Sequence, residues 1–258
     1  VVTRSARQAP LAAYVLHRYD WSESSLILDV FTREQGRIAV AAKGAKKPFS
    51  QLRSVLLPFQ RIQVTLGRAP ADSEMREVDT LRAAEWIGGL AMLTGAALFS
   101  GFYLNELLMK LLARHDPHPL LFDAYAATIA SLGSAPEAEA QAALRAFELV
   151  LLKEIGLLPD LGTETASQRA VRPEARFRLL ADAGVVETLD DGDASTSGAT
   201  LLALRDALAA GDLRALQIAA RGALTELRPL LRAQLHYHLG SSQLRTRQVM
   251  IDAQSLGL

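Results

Sequence analysis

The chain changes texture once, near residue 85, and this change constrains its fold more than any other feature. Before it, short runs rich in Val, Ile, Leu, Tyr and Phe are separated by turn residues. After it, the sequence is Ala- and Leu-rich with helical periodicity. Leu11–Tyr19 and Ser25–Thr32 read as strands joined by an Asp20–Ser24 turn. Glu34-Gln35-Gly36 turns into a third strand, Arg37–Ala42. A loop with Gly44, Lys46, Lys47 and Pro48 follows, and Ser50–Leu57 reads as a short helical turn ended by Pro58. Arg61–Leu66 alternates apolar Ile62, Val64 and Leu66 with polar neighbours, and Met75–Ala83 supplies a fifth strand. Five short strands in about 80 residues, with a break after the third, suit a small closed barrel.

The second texture predicts helices. Ser134-Ala135-Pro136 and Gly156 bracket one containing Leu144, Phe147, Val150, Leu151 and Ile155; Asp212 caps another; Pro229 opens or kinks a last helix that stops at Gly240. Residues 160–198 are richer in Gly, Thr, Ser and Asp, with a hairpin candidate at Arg176–Glu187 and a loop at Asp190–Gly198. The expected organisation is α+β: a barrel over 1–84, then a helical domain over 85–258 with a small β/loop insert at 160–198. Ile87–Leu104 carries no charge and is long enough to span a bilayer. Its four glycines, its polar residues and its lack of flanking Lys or Arg clusters favour a core helix. Val1–Pro10 lacks the apolar stretch of a signal peptide.

The net charge is zero, but the zero is a balance of unlike parts. Residues 1–68 hold eleven Lys and Arg against four Asp and Glu, and the remainder holds 17 against 24. Such asymmetry fits either a polyanion partner for the basic part or a solvated charge excess. Catalytic chemistry finds little support. The absence of cysteine excludes disulfides, thiolate-bound zinc and thiol catalysis, and fits a reducing cytoplasm. The sequence contains no GxxxxGK[ST], HExxH or GxSxG pattern. His115 and His118 share a proline-containing loop, and His236 and His238 fall on different helix faces, so neither pair has metal-ligand spacing.

The strongest candidate site is the basic face of the barrel: Arg33, Arg37, Lys43, Lys46, Lys47, Arg53, Arg61 and Arg68, interleaved with Tyr14, Tyr19, Trp21, Phe31 and Phe49. Cations and exposed rings on one barrel groove are how OB-folds hold single strands, phosphates on the cations and bases on the rings. Tyr14 and Phe31, inside apolar strands, read as core; Trp21 and Phe49, in turns, read either way.

The residues also carry a family resemblance. Ala13-Tyr14-Val15-Leu16-His17, Trp21 through Thr32, Gly36-Arg37, Ala42-Lys43-Gly44-Ala45, Leu57-Pro58-Phe59 and Thr80 through Glu85 resemble the N-terminal signature of the RecO family of bacterial recombination mediators. Tyr103 through Leu108, Leu144 through Leu149, Gly156 through Leu161, Leu239-Gly240 and Leu244 through Arg247 continue it in the family's order. The resemblance implies an OB-fold, a helical body and a small insert. It implies a non-enzymatic, cofactor-free protein, a monomer on its own, located in the cytoplasm at the nucleoid. Its activities would be binding single- and double-stranded DNA, annealing complementary strands, and helping to load a RecA-type recombinase on strands coated by single-stranded DNA-binding protein. Its partners would be RecR and the acidic, hydrophobic C-terminal tail of that coating protein, with no membrane involved. For the tail, the helical body offers Arg145 with Phe147, Tyr103, Leu104 and Leu107; the plainer alternative pairs Arg145 with Glu148 or Gln141 on the surface. Many relatives carry four cysteines after the Pro-Asp-Leu block. Residues 160–198 here have none, so a metal-free insert held by packing is expected. A general single-stranded nucleic-acid-binding OB protein, a nuclease or hydrolase, and a membrane-associated scaffold are the competing readings.

Overall fold

The computed structural model describes residues 9–67, 78–88, 92–190, 192, 195–240, 244–246 and 248–249. Two compact units emerge: Val1–Thr94 with Leu104–Phe122, and Gly95–Tyr103 with Asp123–Leu258.

In the first unit the strands are β1 (Leu11–Asp20), β2 (Leu26–Thr32), β3 (Gly36–Ala42), β4 (Ile62–Leu66) and β5 (Asp79–Trp86), with one turn of helix, α1 (Leu52–Val55), before β4. They close into a barrel in the order β1-β2-β3-β5-β4, and β4 pairs back to β1. All neighbours are antiparallel except β3 and β5. This is the expected barrel, and it is mixed α+β with the helical body. The fifth strand begins at Asp79 and runs two residues past 84; Met75 and Arg68 lie outside the described residues.

Alternation explains the barrel interior: Ala13 and Val15, Leu28 and Val30, Ile38 and Val40, Ile62 and Val64 point inward and are fully buried. Leu56, after α1, joins them. β1 departs from simple alternation because its other face is covered too. Tyr14 and Phe31 both meet the Phe122 ring at 5.4 Å, and Asn105 Nδ2 donates to the Leu16 carbonyl at 2.9 Å. Tyr14 and Phe31 are therefore core residues. A register shift between Val15 and His17 ends this doubly buried stretch, and His17–Asp20 is exposed.

In the second unit, α2 (Gly95–Leu111) contributes its first nine residues and α3 (Pro119–Ser134) its part from Asp123. α4 (Glu137–Glu154) follows, starting at Pro136 as expected, with Leu144, Phe147 and Leu151 buried on one face. The insert forms a hairpin, β6 (Arg176–Leu180) and β7 (Gly184–Thr188), extended by β8 (Thr196–Ser197) on the other edge of β6. The expected loop at 190–198 thus ends as a strand with Thr196 fully buried. Hydrogen bonds tie the insert together: Thr165 N donates to the Val185 carbonyl at 2.8 Å, and Val185 N donates to Thr165 Oγ1 at 2.9 Å. Then come α5 (Gly198–Ala210), α6 (Leu213–Gly222) and α7 (Leu224–Leu239). Ser197 Oγ and Asp212 Oδ1 accept the capping N–H bonds of α5 and α6. Pro229 sits within α7, five residues after its start, rather than opening it. Among the described residues no helix is long and apolar enough to cross a membrane.

Gly36, at the β2–β3 turn, has φ +68°, and a Cβ there would come within 1.9 Å of the Asp116 carbonyl oxygen. His115 N donates to the Arg37 carbonyl beside it at 3.0 Å. Gly36→Ala should therefore destabilise the protein by about 1–3 kcal/mol, through strain and a displaced 115–116 segment. Thermal denaturation followed by circular dichroism checks this; an unchanged melting temperature would mean that the approach carries no weight.

Candidate nucleic-acid interface and peptide cavity

The β1–β2 turn and the loop after β3 lie together because both strands end there: Asp20 pairs with Leu26, and Leu26 with Ala42. Lys46 welds them. Its N–H donates to the Ser24 carbonyl at 3.0 Å, its ammonium to the Ser22 carbonyl at 2.9 Å, and the same ammonium lies 3.1 Å from Asp20. Two adjoining hollows result. One is lined by Trp21, Ser24, Lys43, Gly44 and Lys47, the other by Arg18, Asp20, Lys46, Arg53 and Leu56. Trp21 is 56 % exposed and Phe49 99 % exposed, so these rings are not core residues. Lys43, Lys47, Arg18 and Arg53 are exposed as well.

Arg33 and Arg37 lie at the opposite end of the β2–β3 hairpin. Six residue steps separate the Leu26–Ala42 pair from the Thr32–Gly36 pair, about 20 Å along the strands. Arg37 is only 14 % exposed and faces the buried Asp29 carboxylate at 3.8 Å, while Arg114 reaches the same oxygen at 3.0 Å. Burial pushes the Arg37 pKa down, Asp29 pulls it back up, and Arg114 pushes it down further. Arg37 is thus committed to an internal cluster. Arg61, just before β4, is exposed on the barrel wall. The seven described candidate cations therefore divide: Lys43, Lys46, Lys47 and Arg53 gather at one end, Arg33 and Arg37 sit at the other, and Arg61 lies on the wall. Sequence reasoning missed Arg18, whose signal was its place in the last, exposed turns of β1. Arg114 had no place on the barrel in that reading, and only long-range folding brings it to Asp29.

Within the second unit a cavity of about 360 Å³ opens between α2, α4 and α7. Phe99, Tyr103, Leu144 and Leu235 give it apolar walls; Arg145, Arg228 and Arg232 give it charge. Beneath it lies Glu148, fully buried. Tyr103 Oη donates to Glu148 Oε1 at 2.6 Å, and Arg145 lies 2.7 Å from Glu148 Oε2. Burial pushes the Glu148 carboxyl above the usual carboxylate range, opposed by Arg145, the Tyr103 hydroxyl and Arg228. Of the residues expected around a peptide tail, Tyr103 and Arg145 line this cavity. Phe147, Leu104 and Leu107 are fully buried in the cores of their own units and do not. Arg145 does pair with Glu148, as a buried pair rather than a surface one. Among the described residues no group of three or more His, Asp or Glu could hold a metal ion.

Two family models match the chain: Recombination protein O N terminal over residues 8–90 and Recombination protein O C terminal over 92–248. The DNA repair protein RecO of Polaromonas sp. (strain JS666 / ATCC BAA-500) is 54 % identical over 247 residues, covering 95 % of this chain and 96 % of the relative. That of Polaromonas naphthalenivorans (strain CJ2) is 55 % identical over 245 residues, with the same coverage of both chains. That of Albidiferax ferrireducens is 52 % identical over 247 residues, again covering 95 % and 96 %.

The raised Glu148 pKa has a stability consequence. A carboxyl that holds its proton more tightly when folded favours the folded state fully below its unfolded pKa, and that contribution is lost as pH rises through the folded value. Glu148→Gln, which mimics the protonated form, should remove this loss. The melting temperature of the variant relative to the parent should therefore rise from pH 4 to pH 8; a constant difference across that range would count against the assignment.

Proposed function

The chain belongs to the RecO family of DNA repair proteins, and from that membership we propose that it is a recombination mediator that works by binding and not by catalysis. It binds single- and double-stranded DNA, anneals complementary single strands, and assists loading of a RecA-type recombinase on strands coated by single-stranded DNA-binding protein. RecR and the C-terminal tail of the coating protein are its partners, and the nucleoid is its place of work. The barrel, residues 1–84, is the DNA-binding domain; residues 85–258 form the helical domain, with 160–198 its insert.

One observation carries the reading: the exposed Trp21 shares a hollow with Lys43 and Lys47, the hollow next to it holds Arg18 and Arg53, and the exposed Phe49 follows two residues after Lys47. Phosphate contacts hold a strand without reading its sequence, and rings accept any base. Annealing needs this combination, because two strands must be held together long enough to pair while neither is locked. Arg33 and Arg61 extend the path of the strand, while Arg37 supports it from within. The second unit holds the coating protein's tail in the cavity beside Tyr103 and Arg145, with Phe147 buried on the same helix, α4. One molecule that grips both tail and strand raises the effective concentration of the second contact.

Two measurements test this. The purified chain should speed annealing of complementary strands coated with single-stranded DNA-binding protein, without nucleotide or metal; no acceleration would overturn the mediator reading. In the second, Lys43→Glu with Lys47→Glu should weaken binding to every single-stranded sequence alike. It should also flatten the log–log salt dependence by about 0.7 for each phosphate contact removed. A folded double variant with an unaltered slope would move the DNA path elsewhere on the barrel.

A further inference from the structure

On the outer face of the barrel one carboxylate serves two guanidiniums. Asp29 is 3 % exposed, and its Oδ1 lies 3.8 Å from Arg37 and 3.0 Å from Arg114. Among the described residues neither arginine reaches a second carboxylate, so the cluster keeps one positive charge that nothing in it cancels. Solvent sees that charge at one place. Arg37 is 14 % exposed and its Nε is buried without a hydrogen-bond partner, whereas Arg114 is 39 % exposed. Backbone contacts fix where Arg114 stands: it forms a parallel bridge with Arg37, and His115 N donates to the Arg37 carbonyl at 3.0 Å.

An aromatic surface adjoins this cluster. His17 stands opposite Asp29 across the β1–β2 pair, and Tyr19, two residues on, projects from the same face of β1. The Tyr19 hydroxyl hydrogen-bonds to Asp29, and its ring meets the His17 ring edge-on at 4.5 Å. Burial and Asp29 raise the Tyr19 pKa while Arg114 and Arg37 lower it, which marks the phenol and the guanidiniums as neighbours. Held at both ends, the ring is still 43 % exposed.

We propose that Arg114 and Tyr19 together hold one nucleotide of a nucleic-acid strand, its phosphate on the guanidinium and its base on the ring. Asp29 orders both groups beforehand, so little side-chain freedom is lost when a strand arrives. The contact lies outside the two hollows, and its cation comes from the connection between α2 and α3 rather than from a barrel strand. The proposal rests on the reading of the barrel as a DNA-binding domain and adds to that surface a residue from beyond the barrel sequence.

The full chain and a fluorescein-labelled oligothymidylate make the test, with affinity followed across a salt series. Arg114→Ala should weaken binding and flatten the log–log salt dependence by about 0.7, and Arg114→Lys, which keeps the charge, should restore the slope. A purely structural Arg114 would leave the slope alone. Tyr19→Ala should weaken binding about fivefold or more with little change in slope, whereas Tyr19→Phe, which keeps the ring, should bind as the parent does. Both side chains are exposed and Asp29 keeps Arg37 as a partner, so the variants should fold, and circular dichroism verifies it. An unaltered slope in Arg114→Ala would overturn the phosphate contact. A loss in Arg114→Ala with none in Tyr19→Ala would mark a bare anion site, which needs no ring, and would overturn the nucleotide contact. If the parent protein does not bind the oligonucleotide, the DNA-binding reading itself fails, and that result is distinct from the other two.

Discussion

Closure of the barrel through β1 is the constraint on which the first unit depends. β1 pairs with β2 along its length and with β4 at its start, so the sheet has no free edge there. Ala13 and Val15 fill the interior while Tyr14 and Leu16 are buried on the other side, which leaves one register open to the strand: a slip by one residue would exchange two sets of unequal size. The register shift at Val15/His17 then frees the last third of the strand from both cores. Because of that release Arg18 and Tyr19 reach solvent, and the β1–β2 turn can carry Trp21 to the surface beside the Lys43–Lys47 loop.

Each unit also contains a buried carboxylate between arginines: Asp29 with Arg37 and Arg114, and Glu148 with Arg145 and the more distant Arg228. Burying such charges is costly, and the attraction between them rarely yields a large net gain. What the arrangement does provide is position. A guanidinium paired one to one with a fixed carboxylate has one orientation, and it has lost most of the charge that would draw a phosphate or a second carboxylate. Basic residues in this protein thus fall into two physical kinds, those spent on an internal partner and those left to the solvent, and charge count alone cannot separate them.

That distinction marks the limit of what the sequence made legible. The barrel was readable because β-branched runs and turn residues alternate at short range, and Ser134–Pro136 and Gly156 fenced α4 for equally local reasons. Tyr14 and Phe31 read correctly as core from their place inside apolar strands. Arg37 looked like any other cation, since nothing near it in sequence announces that Asp29 and Arg114 converge on it. Leu104, Leu107 and Phe147 were legible as apolar helix positions, but which helical faces turn toward a cavity depends on packing between α2, α4 and α7. Pro229 is a comparable case: as the sixth residue of α7 it removes one i→i−4 hydrogen bond, yet the helix continues through it.

The two kinds of cation bear on how tightly a strand can be held. Of the basic residues in the first 68, Arg37 and Lys46 are engaged with carboxylates, and the exposed group around the hollows reduces to Arg18, Lys43, Lys47 and Arg53. Four phosphate contacts to a single strand give a log–log salt slope of about 3, so affinity would fall roughly fifty-fold between 50 and 200 mM salt. If this is the DNA face proposed above, a surface of that strength, supplemented by two exposed rings, would capture a strand and let go of it on the same encounter. The mediator proposed above, which would hand strands to a partner, would be better served by this than by a deep basic groove. A groove lined by all eleven N-terminal cations would keep each strand it caught.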